Sequence, residues 1–164
     1  MKYILLKGKM DAGKSSTITG ICQNFNIGSC QRIISDANGK LKIQNDTSNN
    51  FGNGTFIIDV NGSNILIVAG APTEQKITIT LILIFIMELQ IEISFALISV
   101  RSREVLAGFD TISELKKLGH VCILEEEIIR IDTDDYTLTS IWKNRIRKIS
   151  DLIIKSLFQT IQMV

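Results

Sequence analysis

Short apolar runs closed by turn signals alternate along this chain with longer stretches of helical spacing. Tyr3-Ile4-Leu5-Leu6 is suited to a buried strand, and Lys14 to Phe25 reads as a helix. Asn26-Ile27-Gly28-Ser29 then reads as a break. Two hairpin signals come next. In the first, Arg32-Ile33-Ile34-Ser35 and Leu41-Lys42-Ile43-Gln44 flank Asp36-Ala37-Asn38-Gly39. In the second, Phe56-Ile57-Ile58-Asp59-Val60 and Ile65-Leu66-Ile67-Val68 flank Asn61-Gly62-Ser63-Asn64. Asn-Gly tolerates the positive φ of tight turns between antiparallel strands. The polar segment between the hairpins, Asn45 to Gly54, is expected to be a mobile surface loop that a ligand orders.

The second half repeats the alternation. Pro72, the only proline, fixes a turn after Ile65–Val68. Ile77 to Met87 (ITITLILIFIM) is almost unbroken apolar sequence, a core element whose composition favours a strand and whose place between two strands favours a helix. It is too short to cross a bilayer, and Glu88, Gln90 and Glu92 break the hydrophobicity beyond it. Ile93 to Val100 reads as a strand. Glu104 to Leu118 reads as an amphipathic helix, with Leu106, Phe109, Ile112 and Leu115 on one face and Gly119 as its stop. His120 to Leu124 is the last strand and Asp132 to Asp135 a connection rich in capping residues. A final helix is expected over Tyr136 to Val164, with Leu138, Ile141, Trp142, Ile146, Ile149 and Leu152 along the side that packs on the sheet.

This order predicts one α/β domain over residues 1–164, a three-layer fold with a mainly parallel sheet and antiparallel hairpin strands. A chain of 164 residues is long enough to bury roughly two-thirds of its unfolded surface. In such sheets ligands bind beyond the carboxyl ends of the strands. The positions after Leu6, Val68, Val100 and Leu124 are therefore where chemistry is expected.

The first of these positions carries a motif. Gly8-Lys9-Met10-Asp11-Ala12-Gly13-Lys14-Ser15 satisfies G-x-x-x-x-G-K-[ST], between an apolar strand and a helix. Such a loop turns backbone N–H groups inward onto phosphate oxygens. Lys14 reaches the terminal phosphates, the Ser15 hydroxyl ligates Mg²⁺, and the helix directs its positive end at the anion. Residues 8–16, Ser16 included, are the expected nucleotide cradle.

Gly8-x-x-Asp11-Ala12-Gly13-Lys14-Ser15-Ser16-Thr17 resembles the phosphate loop of P-loop GTPases, especially the translation-factor branch with its G-H-V-D-[AHS]-G-K-[ST]-T. That resemblance covers about the first 75 residues and implies a P-loop NTPase fold, with a triphosphate and Mg²⁺ as ligands. The chain departs from it at two motifs. Ile67 stands where the aspartate of D-x-x-G belongs. Ser99-Val100-Arg101-Ser102-Arg103 occupies the place of N-K-x-D, which gives such proteins their guanine selectivity. ATP is accordingly expected over GTP. Lys9 falls where deviant Walker A ATPases place a lysine that crosses a dimer interface, which would imply a homodimer, although Met10-Asp11 replaces the glycine pair there.

Further candidates come from position. Asp36, after an apolar strand, is the expected second Mg²⁺ ligand, ahead of Asp59; both also suit turn-flanking roles. Glu74 occupies a turn suited to orienting water, or else a first helical turn. Arg101 and Arg103 come after a strand end and would neutralise transferring phosphate. Glu125-Glu126-Glu127, and the basic stretch Lys143, Arg145, Arg147 and Lys148, read as solvated faces, and His120 lies at the wrong edge for catalysis.

Composition narrows the classes. Net charge is +1, so no basic field indicates a nucleic-acid partner. The three cysteines have no metal-ligand spacing, and with no leader in view they fit a reducing cytoplasm. The expected function is Mg²⁺-dependent binding and hydrolysis of a nucleoside triphosphate. The alternatives are a kinase acting on a small molecule or nucleotide, and a nucleotide-binding module with little turnover that acts through a protein partner.

Overall fold

The computed structural model describes residues 1–47 and 50–161. It is an α/β domain with a seven-stranded mixed sheet and five helices. The strands are β1 (Lys2–Gly8), β2 (Ile27–Ser35), β3 (Leu41–Asn45), β4 (Thr55–Val60), β5 (Ser63–Val68), β6 (Phe95–Arg101) and β7 (Val121–Glu127). The helices are α1 (Lys14–Cys22), α2 (Pro72–Gln75), α3 (Ile79–Glu88), α4 (Thr111–Lys117) and α5 (Ser140–Ile161).

Strand order is β3-β2-β4-β5-β6-β1-β7. The contiguous set β5-β6-β1-β7 is parallel, while β2 pairs antiparallel with both β3 and β4, and β4 with β5. Three parallel and three antiparallel pairings make the sheet mixed, not mainly parallel as expected. β6 stands between β5 and β1, so the last strand of the second hairpin is one place removed from the strand that enters the Gly8–Ser15 loop.

Side-chain alternation along β1 shows why both faces are covered. Ile4 and Leu6 join a core beneath α1 and α5 with Ile18, Ile21 and Ile149. Tyr3 and Leu5 join the opposite core with Ile79, Ile82 and Leu115 of α3 and α4. The result is helix, sheet, helix in three layers. α5 lies on α1 so closely that a Cβ at Gly20 would stand 2.9 Å from both Trp142 and Ile146.

Several local expectations change. Asn26–Ser29 is not a break: β2 begins at Ile27, and a register shift opposite Asp59 and Val60 absorbs Gly28. Ile77–Met87 resolves as a helix because Thr78 caps it, its hydroxyl accepting the Leu81 N–H at 3.2 Å. Residues 104–110 are not helical. α4 starts where the Asp110 carboxylate accepts the Ser113 N–H, and Glu104 instead reaches forward to the N–H and hydroxyl of Thr111 at 2.8 and 2.7 Å. α5 starts at Ser140, after a short 3₁₀ turn over Tyr136–Leu138; Leu138 and Ile141 are exposed, and Ile146, Ile149, Ile153 and Leu157 form the packed stripe. Residues 162–164 of the expected helix lie outside the described residues.

The expected mobile loop Asn45–Gly54 is anchored. Phe51 is 1% exposed, meets Phe56 edge-on at 5.1 Å, and its N–H donates to Thr19 Oγ1 at 3.3 Å. Positions 48 and 49 of that loop lie outside the described residues. Among the described residues, no helix is long and apolar enough to cross a membrane.

Candidate functional site

Parallel strands β5, β6, β1 and β7 end at one edge of the sheet, and a cleft of about 1250 Å³ opens there. Its floor is the loop between β1 and α1. Gly8 ends β1 where a Cβ would stand 2.8 Å from the Ile128 carbonyl oxygen, so only glycine lets the strand pass. Gly13 has φ +98° and caps α1 with no side chain. The first-turn N–H groups of α1 consequently face the cleft with no side-chain cap, the arrangement that favours an anion.

Lys14 folds back under this loop. Its Nζ donates to the carbonyl oxygens of Gly8 at 2.9 Å and Lys9 at 2.7 Å, which leaves one of its three donors for a ligand. Burial is the main influence on its proton affinity and lowers it; Glu74 opposes that and Arg101 adds to it. The Ser15 hydroxyl donates to the Ala69 carbonyl at 3.2 Å and therefore faces the end of β5, with its oxygen lone pairs still available. Met10 through Ser16 line the cleft; Gly8 and Lys9 lie behind it, with Lys9 exposed and contributing only its carbonyl.

Two walls rise from that floor. On the β5–β6 side stand Glu74, Gln75, Asn53 and Arg101. Arg101 Nε donates to Glu74 Oε1 at 2.7 Å, while Glu74 Oε2 accepts the Ala71 N–H at 3.3 Å. Gln75 bridges Thr55, whose hydroxyl donates to its Oε1 at 3.0 Å, and the Gly70 carbonyl. On the other side lie residues 130–134, Tyr136, Trp142 and Arg145. The Tyr136 and Trp142 rings meet edge-on with centroids 5.0 Å apart. Arg145 donates to the Ile129 carbonyl at 2.8 Å and to Thr17 Oγ1 at 3.4 Å, and burial lowers its proton affinity.

Of the residues expected at the site, the fold brings together residues 10–16, Glu74 and Arg101. Arg103 is exposed and outside the cleft lining. Asp36, the expected second Mg²⁺ ligand, does not reach the cleft. It sits at the tip of the β2–β3 hairpin, where its carboxylate accepts the Asn38 and Lys40 N–H groups, both at 2.9 Å, as an Asx turn. β4 separates its strand from β5, and it forms no part of the cleft. Asp59 likewise closes a turn, accepting the Gly62 N–H at 3.3 Å. Glu125 and Glu126 pair with Lys7 and Lys148, and His120 lies at the opposite edge against the N-terminal ammonium.

Tyr136, Trp142 and Arg145 line the cleft, although the sequence placed Trp142 on the packing side of the final helix and Arg145 on a solvated face, and gave Tyr136 no role at the site. One signal was available: Arg145 lies three positions after Trp142 and beside Ile146, at the margin of the packed stripe of α5. A cation there is half-buried at the seam between α5 and α1.

Among the described residues, no three His, Cys, Asp or Glu side chains cluster as a metal cage. The Ser15 hydroxyl oxygen, whose hydrogen is engaged by the Ala69 carbonyl, is a side-chain oxygen at the start of α1 that could ligate a cation. Compared with family models, with curated proteins and with solved structures, the chain gives no match.

Proposed function

We propose that this chain is a P-loop NTPase that binds a nucleoside triphosphate with Mg²⁺ in the cleft and hydrolyses its terminal phosphoanhydride bond. The observation that carries this reading is Lys14 held under the Gly8–Ser15 loop by two backbone carbonyls, at the uncapped start of α1. Backbone donors, a helix N-terminus and a cation converge on one point, which is what a polyphosphate requires.

The walls give the ligand a direction. Ser15, which faces the end of β5, would hold a Mg²⁺ that arrives with the triphosphate, on the side where the outer phosphates would lie. The terminal phosphate therefore points toward Glu74 and Arg101, and the nucleoside toward Tyr136, Trp142 and Arg145. When bound, the metal supplies charge neutralisation of the leaving diphosphate. Lys14 and Arg101 neutralise the transferring group, and Glu74 orients water. ATP is the favoured nucleotide, since no guanine-selecting N-K-x-D comes after β6.

One observation favours a second reading. β5 ends in Ala69-Gly70 with no carboxylate, which suits a nucleotide-binding module with little turnover acting through a protein partner. Thermal unfolding with Mg²⁺ and ATP, GTP, ADP, GDP or no nucleotide tests both readings, since a ligand of the folded state raises the midpoint by mass action. A rise with a triphosphate is the expected result, and phosphate release with that nucleotide separates hydrolysis from simple binding. Release that appears only with an added acceptor would indicate a kinase. No rise with any nucleotide overturns the proposal.

A further inference from the structure

Glu74 and Arg101 face the cleft as partners. Their side chains are 24% and 27% exposed, and the bond between them, at 2.7 Å, is charge-assisted. The two ends of the pair are held differently. Glu74 is tied to the start of α2 through Oε2 and the Ala71 N–H. Arg101 is the last residue of β6, and only its Nε is engaged; its Nη1 and Nη2 groups make no hydrogen bond among the described residues. Both charges also act on Lys14, which places the pair within electrostatic reach of the phosphate loop. A fixed carboxylate thus holds a guanidinium whose remaining donors bond to none of the described residues.

On the nucleotide reading, two anions compete for Arg101: the Glu74 carboxylate, and a terminal phosphate that carries more charge and matches the guanidinium fork. We infer that a triphosphate exchanges this pair, the terminal phosphate taking Arg101 and releasing Glu74 Oε1 toward the cleft. Glu74 stays in place through Oε2 and becomes the acceptor for a proton from the attacking water. In that step the water oxygen bonds to the γ-phosphorus and the bond from the γ-phosphorus to the bridging oxygen breaks. Its electron pair stays on the diphosphate, and the water proton passes to Glu74. A diphosphate brings no group to Arg101 and leaves the pair closed. The inference rests on the nucleotide reading and adds control to it: the base is free only while a triphosphate is bound.

Calorimetric titration of Mg²⁺ with ATP, ADP, GTP or GDP into the native chain, Glu74→Gln and Arg101→Gln tests the exchange, with phosphate release measured in parallel. Glu74→Gln removes the competing charge and is expected to tighten triphosphate binding about tenfold, without changing diphosphate binding, while phosphate release falls at least about 100-fold. Arg101→Gln is expected to lower the triphosphate-to-diphosphate affinity ratio about tenfold. Unfolding midpoints without nucleotide establish that each variant folds, and Arg101→Lys, which keeps the charge and loses the fork, serves where Arg101→Gln does not. An unchanged affinity ratio in folded variants of both residues, with a native chain that binds triphosphate, overturns the exchange and leaves the nucleotide reading standing. A native chain that binds none of the four nucleotides overturns both.

Discussion

The Ile128 carbonyl oxygen lies 2.8 Å from the point that a Cβ on Gly8 would occupy, so the residue just after β7 closes the back of β1 where it enters the Gly8–Ser15 loop. Gly8→Ala must push these two backbones apart. The expected cost is about 1–3 kcal/mol of stability. Gly13→Ala meets no neighbour within 4 Å, and its penalty comes from φ +98° alone, roughly 1–2 kcal/mol. Urea unfolding of the two variants distinguishes steric conflict from backbone strain, with Gly8→Ala expected to be at least as damaging.

Lys14 gives the sharpest test of the site. Lys14→Ala removes the cation that two carbonyls hold beneath the loop, and triphosphate binding is expected to disappear. Lys14→Met keeps most of the apolar volume of this buried side chain, which is 6% exposed, and controls for packing. Both variants should unfold at the same midpoint with and without Mg²⁺ and nucleotide. A native-like shift in either would sink the proposed function.

Trp142 is the only tryptophan of the chain and lines the wall opposite Glu74 and Arg101. A nucleoside lying against Tyr136 and Trp142 changes the surroundings of the indole. Intrinsic fluorescence should therefore change on titration with a nucleoside triphosphate or diphosphate, and remain constant with inorganic tripolyphosphate. Equal responses to tripolyphosphate and to nucleotide would place the nucleoside elsewhere.

The cysteines report packing independently of function. Burial pushes the Cys22 thiol up to about 12 and the Cys30 thiol up to about 11, while Cys122 is exposed on β7. Because the thiolate is the reactive form, a thiol reagent near neutral pH should label Cys122 first and Cys22 last, the latter only as the chain unfolds. Mass spectrometry of timed labelling checks this order, and early modification of Cys22 would contradict the packing of α1 on the sheet.

Acid should weaken the fold through its turn and cap carboxylates. Hydrogen bonds from the Ser113 backbone and side chain are the chief reason that Asp110 holds its proton less tightly than usual; for Asp36 the chief reason is the Lys40 N–H. A folded-state pKa below the unfolded value means that the unfolded chain binds the proton better. The stabilisation is therefore present above the unfolded pKa, near 4, and is lost as pH falls through the lower folded value. The urea midpoint is expected to decline below about pH 4, and Asp110→Ala should flatten part of that decline. An identical pH profile in the variant would remove Asp110 as a contributor.

Features set by neighbouring residues were legible in the chain. Asn61 and Gly62 both adopt positive φ in the β4–β5 turn, as Asn-Gly predicts. The strand–loop–helix junction over Gly8–Ser15 comes from the spacing of Gly8, Gly13 and Lys14 behind an apolar run, and the place of Glu74 and Arg101 beside one edge of the sheet from the strands they come after. Where two local signals competed, periodicity alone misled. The apolar spacing through Leu106 and Phe109 suggested a helix from Glu104, but the Asp110 cap starts α4 and leaves Leu106 41% exposed.

The Asn61-Gly62 turn and the bend at Gly13 depend on backbone chemistry acting over a few residues, and the sequence by itself determined them. Strand order, the anchoring of Phe51, the removal of Asp36 from the site, the pairing of Glu74 with Arg101 and the entry of Arg145 and Trp142 into the cleft were decided only by tertiary structure. Each of these depends on which apolar faces are buried against which. Arg145 reaches Thr17 across 128 positions of chain because α5 docks on α1, and only the packed core brings them together.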